Sequence, residues 1–386
     1  MKRALLVPAS YVVVLLSLLL FVRPVELPEA GMASEYGPVN SFLQQVSGRN
    51  VTTDFLIDYA SARALLDRED PYGIAAEIID SKGLPAWPVS HANPHPPTMV
   101  SLAAPFALLS YQNALAAWSV LMVFALIGTI CLIGVRLPIA IAVGLGIAIT
   151  YPGAWGIGNA VPLIGFGVAV AYKYRNEPIL AAVGLTLAAA PKISGLLLLL
   201  PFLLTLRIKA LAWAAAMVSL LAVFPLMFFG GAWSRYLHAG AHAIRVNAER
   251  QDNASVLNLA HKHEVPQVLV AALLVAVAVS IAIRIKDSWW PSVWLIVAAL
   301  PIAWMYSMLT LIPLFCATVR SRSSLGVGSV FLASALIVGS VGGMWPTRAI
   351  PLIIALAAVG LTQIDDDALR PNKASLLRAI RWKRQP

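Results

Sequence analysis

Apolar residues in this chain come in long runs that recur almost to the C-terminus. The runs fall near 5–22, 98–110, 113–135, 138–152, 157–172, 179–190, 192–206, 209–229, 266–283, 289–300, 301–319, 325–343 and 348–362. A helix needs about 20 apolar residues to cross a bilayer, and several runs are shorter. Those are expected as half-helices or hairpins, which membranes tolerate only where they line a cavity or pack against protein. The pattern predicts an all-α polytopic membrane protein, a bundle of about 11–13 spans. Within it, 179–206 is expected to be a hairpin that turns at Pro191 and Lys192.

Two polar stretches interrupt the apolar pattern, 24–97 and 230–265. The chain therefore divides into a first span (1–23), a long first loop (24–97), spans that include short hairpins (98–229), a second loop (230–265), C-terminal spans (266–362) and a basic tail (363–386). A loop as long as the first is expected to be functional. Inside it, Asp54–Asp67 reads as a helix with Phe55, Tyr59, Ala62 and Leu66 on one face, a pattern suited to lying in the membrane interface. The turn Asp70–Gly73 ends it. The run at 5–22 begins with Lys2 and Arg3, as a signal peptide does, but "VRPVELPE" follows it. With no small-residue cleavage site there, it is read as an uncleaved span.

Composition strengthens the membrane reading. The chain has 386 residues, 59% hydrophobic and 12% charged, with a mean hydropathy of +0.79, outside the range of soluble domains. The net charge of +10 does not point to nucleic acid, because of how it is distributed. Lys and Arg gather in small groups beside apolar runs, at 2–3, 173–175, 207–209, 284–286, 320–322 and 370–384. That is the pattern of cytoplasmic loop ends. Of the 18 acidic residues, 13 lie in the two polar stretches, as do all six histidines. Those stretches are read as extracytoplasmic, both termini as cytoplasmic, and the membrane as the plasma membrane. Cys131 and Cys316 lie inside apolar runs and read as small buried hydrophobes.

Asp54 and Asp58 stand one helical turn apart, just after the first span. A carboxylate at a membrane surface is what an enzyme needs to deprotonate a hydroxyl there. The plain alternative for Asp54 is a charge that favours a helix N-terminus. Lys192 is a lone charge within an apolar region, which marks either a functional site or a side chain snorkelling to the interface. In the second loop, His238, His242 and Arg245 follow at i, i+4 and i+7, one face of a helix. With Arg235 they make a cationic face suited to a phosphate headgroup. A metal reading of His238/His242 lacks the Glu beside the first His, which here is Ala239, so no metal site and no cofactor is assigned. His91 and His95 flank "ANP" before the chain re-enters the membrane, a position suited either to contact with a sugar or its phosphate or to a solvated place at the interface. The acidic run Asp365–Asp367 matches the D-x-D pattern of nucleotide-sugar enzymes but sits in the basic tail with no domain around it, and reads as a solvated charge run.

The order of motifs carries a family resemblance. "DFLIDYASARALLDREDPYG" is followed by "HPPTMVSLAAPFALLSYQNALAAW", "GIGNAVPLIGFG", "GLTLAAAPKISGLLLLLPFLL", "RQDNASV" and "LPIAWMYSMLTLIP". The chain resembles glycosyltransferase family 87, of the GT-C type, which includes mannosyltransferases that use polyprenol-phosphate mannose. The resemblance implies a GT-C fold, a lipid-phosphate-linked sugar donor and an extracytoplasmic catalytic Asp, and it puts Asp54 in that role. Asp58, Tyr59 and Tyr72 lie in the same motif as candidate substrate-binding residues. His95 stands in "HPP" where the family usually reads "YPP", and Asn159 in "GN" where "GQ" is usual. Asn253 and Ser255 match "N-x-S". Trp304 matches the Trp of "P-x-x-W", but Met305, Tyr306 and Ser307 follow where the family commonly has a histidine.

The expected function is transfer of a hexose, with mannose the leading choice, from a polyprenyl-phosphate donor to a lipid or glycan acceptor. The step inverts the anomeric centre, Asp54 is the base, and the role lies in building glycolipid of the cell envelope. The alternatives are another sugar, such as arabinose, or a transporter or flippase of a lipid-linked solute. Transporters place ionisable residues within spans and repeat their halves. Here the acids gather in the outer loops instead.

Overall fold

The computed structural model describes residues 38–49, 53–86, 91–135, 137–150, 158–248 and 264–285, with isolated positions 289, 293, 310 and 313. The described residues form helices and no strand. In chain order these are α1 (Pro38–Val46), α2 (Thr53–Leu66), α3 (Ala75–Ser81), α4 (Pro97–Ala103), α5 (Tyr111–Leu132), α6 (Leu137–Thr150), α7 (Val161–Lys173), α8 (Pro178–Ala189), α9 (Leu199–Leu204), α10 (Ile208–Phe228), α11 (Ala232–Ala248) and α12 (Gln267–Ile285). Short 3-10 turns cover Phe106–Leu108 and Ile193–Leu198.

The apolar runs between 113 and 283 each become a helix. Two helices, α5 and α10, are long and apolar enough to cross a bilayer. At 1.5 Å per residue each spans about 30 Å, the thickness of the hydrocarbon core. On α10, Trp213, Leu220 and Met227 are exposed, an apolar face turned away from the other described residues. Helices α7 and α8 are shorter than a crossing. The re-entry run 98–110 is α4 and one 3-10 turn rather than a span. The first run and those from 289 onward lie outside the described residues, apart from positions 289, 293, 310 and 313.

The expected hairpin is present. Helix α8 stops at Ala189, Pro191 and Lys192 break the chain, and the 3-10 segment and α9 run back. The Arg207 guanidinium donates to the Arg175 carbonyl, so the two legs rejoin at the end opposite Lys192. With α8 12 residues long, those ends stand about 18 Å apart along the helix axis. Glycine permits the close packing around the hairpin. A Cβ on Gly184 would stand 2.4 Å from the Ala171 backbone nitrogen, and one on Gly167 would stand 2.6 Å from the Gly184 carbonyl oxygen. Helices α7 and α8 thus meet backbone to backbone, the small-residue contact on which helix association in lipid depends.

Helix α2 is buried on every face rather than on the one face that the spacing suggested. Phe55, Leu56, Ile57, Asp58, Tyr59, Ala60, Ser61 and Ala62 are all buried, on every face of the helix. The reason is that α3, α4 and α5 pack around it. Phe55 stacks on Trp118 of α5 at 5.1 Å, and Phe106 meets the Trp118 ring edge-on at 5.3 Å. Such pairs contribute about 0.5–1.5 kcal/mol each beyond the area they bury. Tyr59, expected to bind substrate, is part of this packing. Its hydroxyl donates to the Leu109 carbonyl at 2.7 Å, and its ring meets Tyr111 at 5.4 Å.

Candidate functional site

Helix α2 carries Asp54 and Asp58 on successive turns. Asp58 is 1% exposed, whereas Asp54 is partly exposed. The two carboxylates are held by different elements.

Asn159 reaches Asp54 from just before α7, its Nδ2 donating to Oδ2 at 2.6 Å. The orientation of this amide is settled by its other end. The Val161 backbone N–H points at Asn159 and donates to Oδ1 at 3.0 Å. Only an oxygen can stand there, so the NH2 faces Asp54. The same contact caps the first turn of α7, which ties the start of that helix to the carboxylate.

Asp58 is gripped from the loop before α4. His95 Nδ1 lies 2.8 Å from Asp58 Oδ1, and Asn93 Nδ2 donates to the same oxygen at 3.1 Å and to Ser61 Oγ at 3.0 Å. Asn93 Oδ1 accepts the His95 backbone N–H at 2.8 Å, which again settles the amide. An ionised carboxylate only accepts, so Nδ1 carries the proton and Nε2 is left to act elsewhere. Tyr72 completes the group, its hydroxyl donating to the His95 carbonyl at 3.1 Å. Burial pushes the Tyr72 phenol well up, with Tyr236, Asp58 and Asp70 adding to the shift, so it remains a neutral donor.

The hairpin brings the cation. Thr98 Oγ1 on α4 donates to the Ala190 carbonyl at 2.6 Å, pinning the apex. Two residues on, Lys192 lies within electrostatic reach of Asp54, Asp58 and His95. Two carboxylates, one imidazole and one ammonium therefore meet at the end of the hairpin opposite its basic base.

The His95 imidazole is pulled down by burial, but Asp58, through charge and hydrogen bond, and Asp54 outweigh this, with Lys192 opposing. The net pKa is raised. A raised folded pKa means that the stabilising contribution is fully present below the free-imidazole value of about 6.5 and is lost as pH climbs through the higher folded value. His95→Gln should therefore lower the melting temperature most at acidic pH, with the gap to the native chain closing as pH rises. A gap that is constant across pH would contradict the pair.

Other expected site residues are placed elsewhere. His91 keeps to its own backbone, with Nδ1 2.8 Å from the Ala92 carbonyl. The helix expected from His238, His242 and Arg245 is α11, but His238 and His242 are exposed on it, and His238 Nδ1 lies 2.7 Å from the Ser234 carbonyl of the same helix. Arg235 pairs with Asp70 at 3.1 Å rather than with the central carboxylates, and Tyr236 packs on Tyr72 at 5.6 Å. So α11 docks on the loop that holds His95 rather than on Asp54. Asn253, Ser255, Trp304 and Tyr306 lie outside the described residues. The sequence did not single out Asn93, Ser61 or Thr98. Asn93 stood only within "ANP", between His91 and His95, and its partner Asp58 is 35 residues away.

Acid, imidazole and cation thus form one polar group among apolar helices. The chain belongs to glycosyltransferase family 87, whose model matches residues 94–307, more than half of its length, and it is a glycosyltransferase. No curated protein and no solved structure matches it. The matched region contains His95, Asn159 and Lys192, while Asp54 and Asp58 precede it and are brought to it by the packing of α2.

Proposed function

We propose that this membrane glycosyltransferase, a GT-C-type bundle of about 11–13 spans, transfers a hexose, with mannose the leading choice, from a polyprenyl-phosphate donor. The acceptor is a lipid or glycan hydroxyl on the extracytoplasmic side. The observation that carries the reading is the contact of Asp54 with Asn159 at 2.6 Å, beside the Lys192 charge. Asp54 is the carboxylate with access, whereas Asp58 is sealed and committed to His95 and Asn93. Asp54 takes the proton from the acceptor hydroxyl as its oxygen attacks the anomeric carbon. The bond from that carbon to the phosphate oxygen breaks, and the lipid phosphate leaves with the electron pair. A single displacement of this kind inverts the anomeric centre. The departing phosphate gains charge, which Lys192 offsets. Asp58 and Asn93 position His95, whose Nε2 is free of that network. The transporter alternative loses its support with membership of a glycosyltransferase family.

The test is transfer by the purified chain in vesicles from labelled polyprenyl-phosphate mannose to endogenous lipid or glycan, read as a new glycosidic bond. Product from an arabinose donor but none from mannose would overturn the choice of sugar. Lys192→Ala is expected to raise the donor KM about tenfold or more, with a smaller change in kcat at saturation. A loss confined to kcat would place Lys192 away from the phosphate.

A further inference from the structure

The base of the hairpin holds a second charged feature, about 18 Å from the apex, at the other end of α8. An open cleft of about 440 Å³ is lined there by Arg175, Arg207 and Lys209, together with Leu206 and Ile208. The two arginines are fixed in place. Arg175 donates to the Tyr172 carbonyl at 3.0 Å and lies over the Tyr172 ring at 4.7 Å, while Arg207 donates to the Arg175 carbonyl. Among the described residues none of the three is within ion-pair distance of a carboxylate. Glu177, the nearest acid in sequence, is exposed.

The lip of the cleft is apolar. Leu206 is 78% exposed and has a φ of +51°, a left-handed backbone that a leucine adopts only under constraint. Ile208, which also lines the cleft, is exposed as well. In water, an exposed leucine at positive φ next to unneutralised guanidinium groups has no compensation. At a bilayer surface the same arrangement matches a phosphate headgroup above an acyl chain. We propose that this cleft binds the headgroup phosphate of an anionic phospholipid, with the acyl chain lying along Leu206 and Ile208. The bound lipid holds the two legs of the hairpin together at their base. The inference is independent of which sugar or lipid serves as donor.

The test uses the full chain purified in detergent and incubated with phosphatidylglycerol or phosphatidylcholine of matched acyl chains, with retained lipid measured by native mass spectrometry. The native chain should retain phosphatidylglycerol at least about tenfold over phosphatidylcholine. Lys209→Gln, which breaks no hydrogen bond seen in the structure, should reduce the preference about fivefold, and Arg175→Gln with Arg207→Gln should remove it. If the double variant does not fold, the native chain still decides the matter. Raising salt from about 0.1 to 1 M should erode the preference, and millimolar inorganic phosphate should not displace the lipid. Equal retention of the two lipids, a preference untouched by Lys209→Gln and by salt, or displacement by inorganic phosphate would each overturn the proposal.

Discussion

Asp54→Asn should reduce sugar transfer by a factor of about 10²–10⁴ while the protein remains folded. The amide keeps the shape of the carboxylate and can still meet Asn159 after a rotation, so α2 has no reason to leave its packing. What it loses is the negative charge and basicity with which the carboxylate takes the acceptor proton. The measurement is transfer of labelled sugar from a polyprenyl-phosphate donor, alongside melting temperature and size-exclusion profile. Transfer at the native rate would end the assignment of Asp54 as the base. The matched variant Asp58→Asn separates the two carboxylates. It should act through His95, weakening the acidic-pH stabilisation described above and changing the pH profile of transfer more than its maximum.

The second large effect is on folding, and it falls on Gly195. A Cβ at this position would stand 1.9 Å from the Ala188 carbonyl oxygen, 2.5 Å from its carbonyl carbon and 2.8 Å from Ala189 Cα. All three are backbone atoms of α8, so no side chain can rotate aside. Gly195→Ala must therefore push the 3-10 segment off α8 and displace the apex that carries Lys192. A destabilisation of about 3 kcal/mol or more is expected, at the upper end of overpacking effects, together with a loss of transfer. Thermal denaturation in detergent would measure it. Gly73→Ala serves as the control, because its Cβ would find only the Ile78 side chain at 3.6 Å, an ordinary contact. Equal melting temperatures for the two variants would mean that the hairpin is not packed as described.

The hairpin was legible in the sequence for a simple reason. A run too short to cross, basic groups at 173–175 and 207–209, and Pro191 followed by a charge together allow little else. Helix α2 was legible as a helix but not in its environment. The face from Phe55 to Leu66 suggested an interface, yet Leu56, Ala60 and the small Ser61 on the other faces are buried just as deeply. A short apolar helix reads the same whether lipid or protein surrounds it, and only the packing partners decide.

The site divides in the same way. Asp54, Asp58, His95, Asn159 and Lys192 were all visible as polar residues where the chain is otherwise apolar or turning. The cationic face of α11 was visible too, as a helix, but spacing along one helix says nothing about the direction in which that helix docks. Arg235 turned out to meet Asp70, and the histidines face outward.

Sequence by itself determined the membrane class, the helical runs, the break at Pro191–Lys192 and the candidate carboxylates. These follow from local hydropathy, charge and turn chemistry, which act over a few residues. Tertiary structure alone decided which polar groups meet. Asp54 pairs with Asn159 across 105 residues, and Thr98 with Ala190 across 92. Contacts at such separations arise from how whole helices pack, and that packing depends on the shapes of all the faces at once.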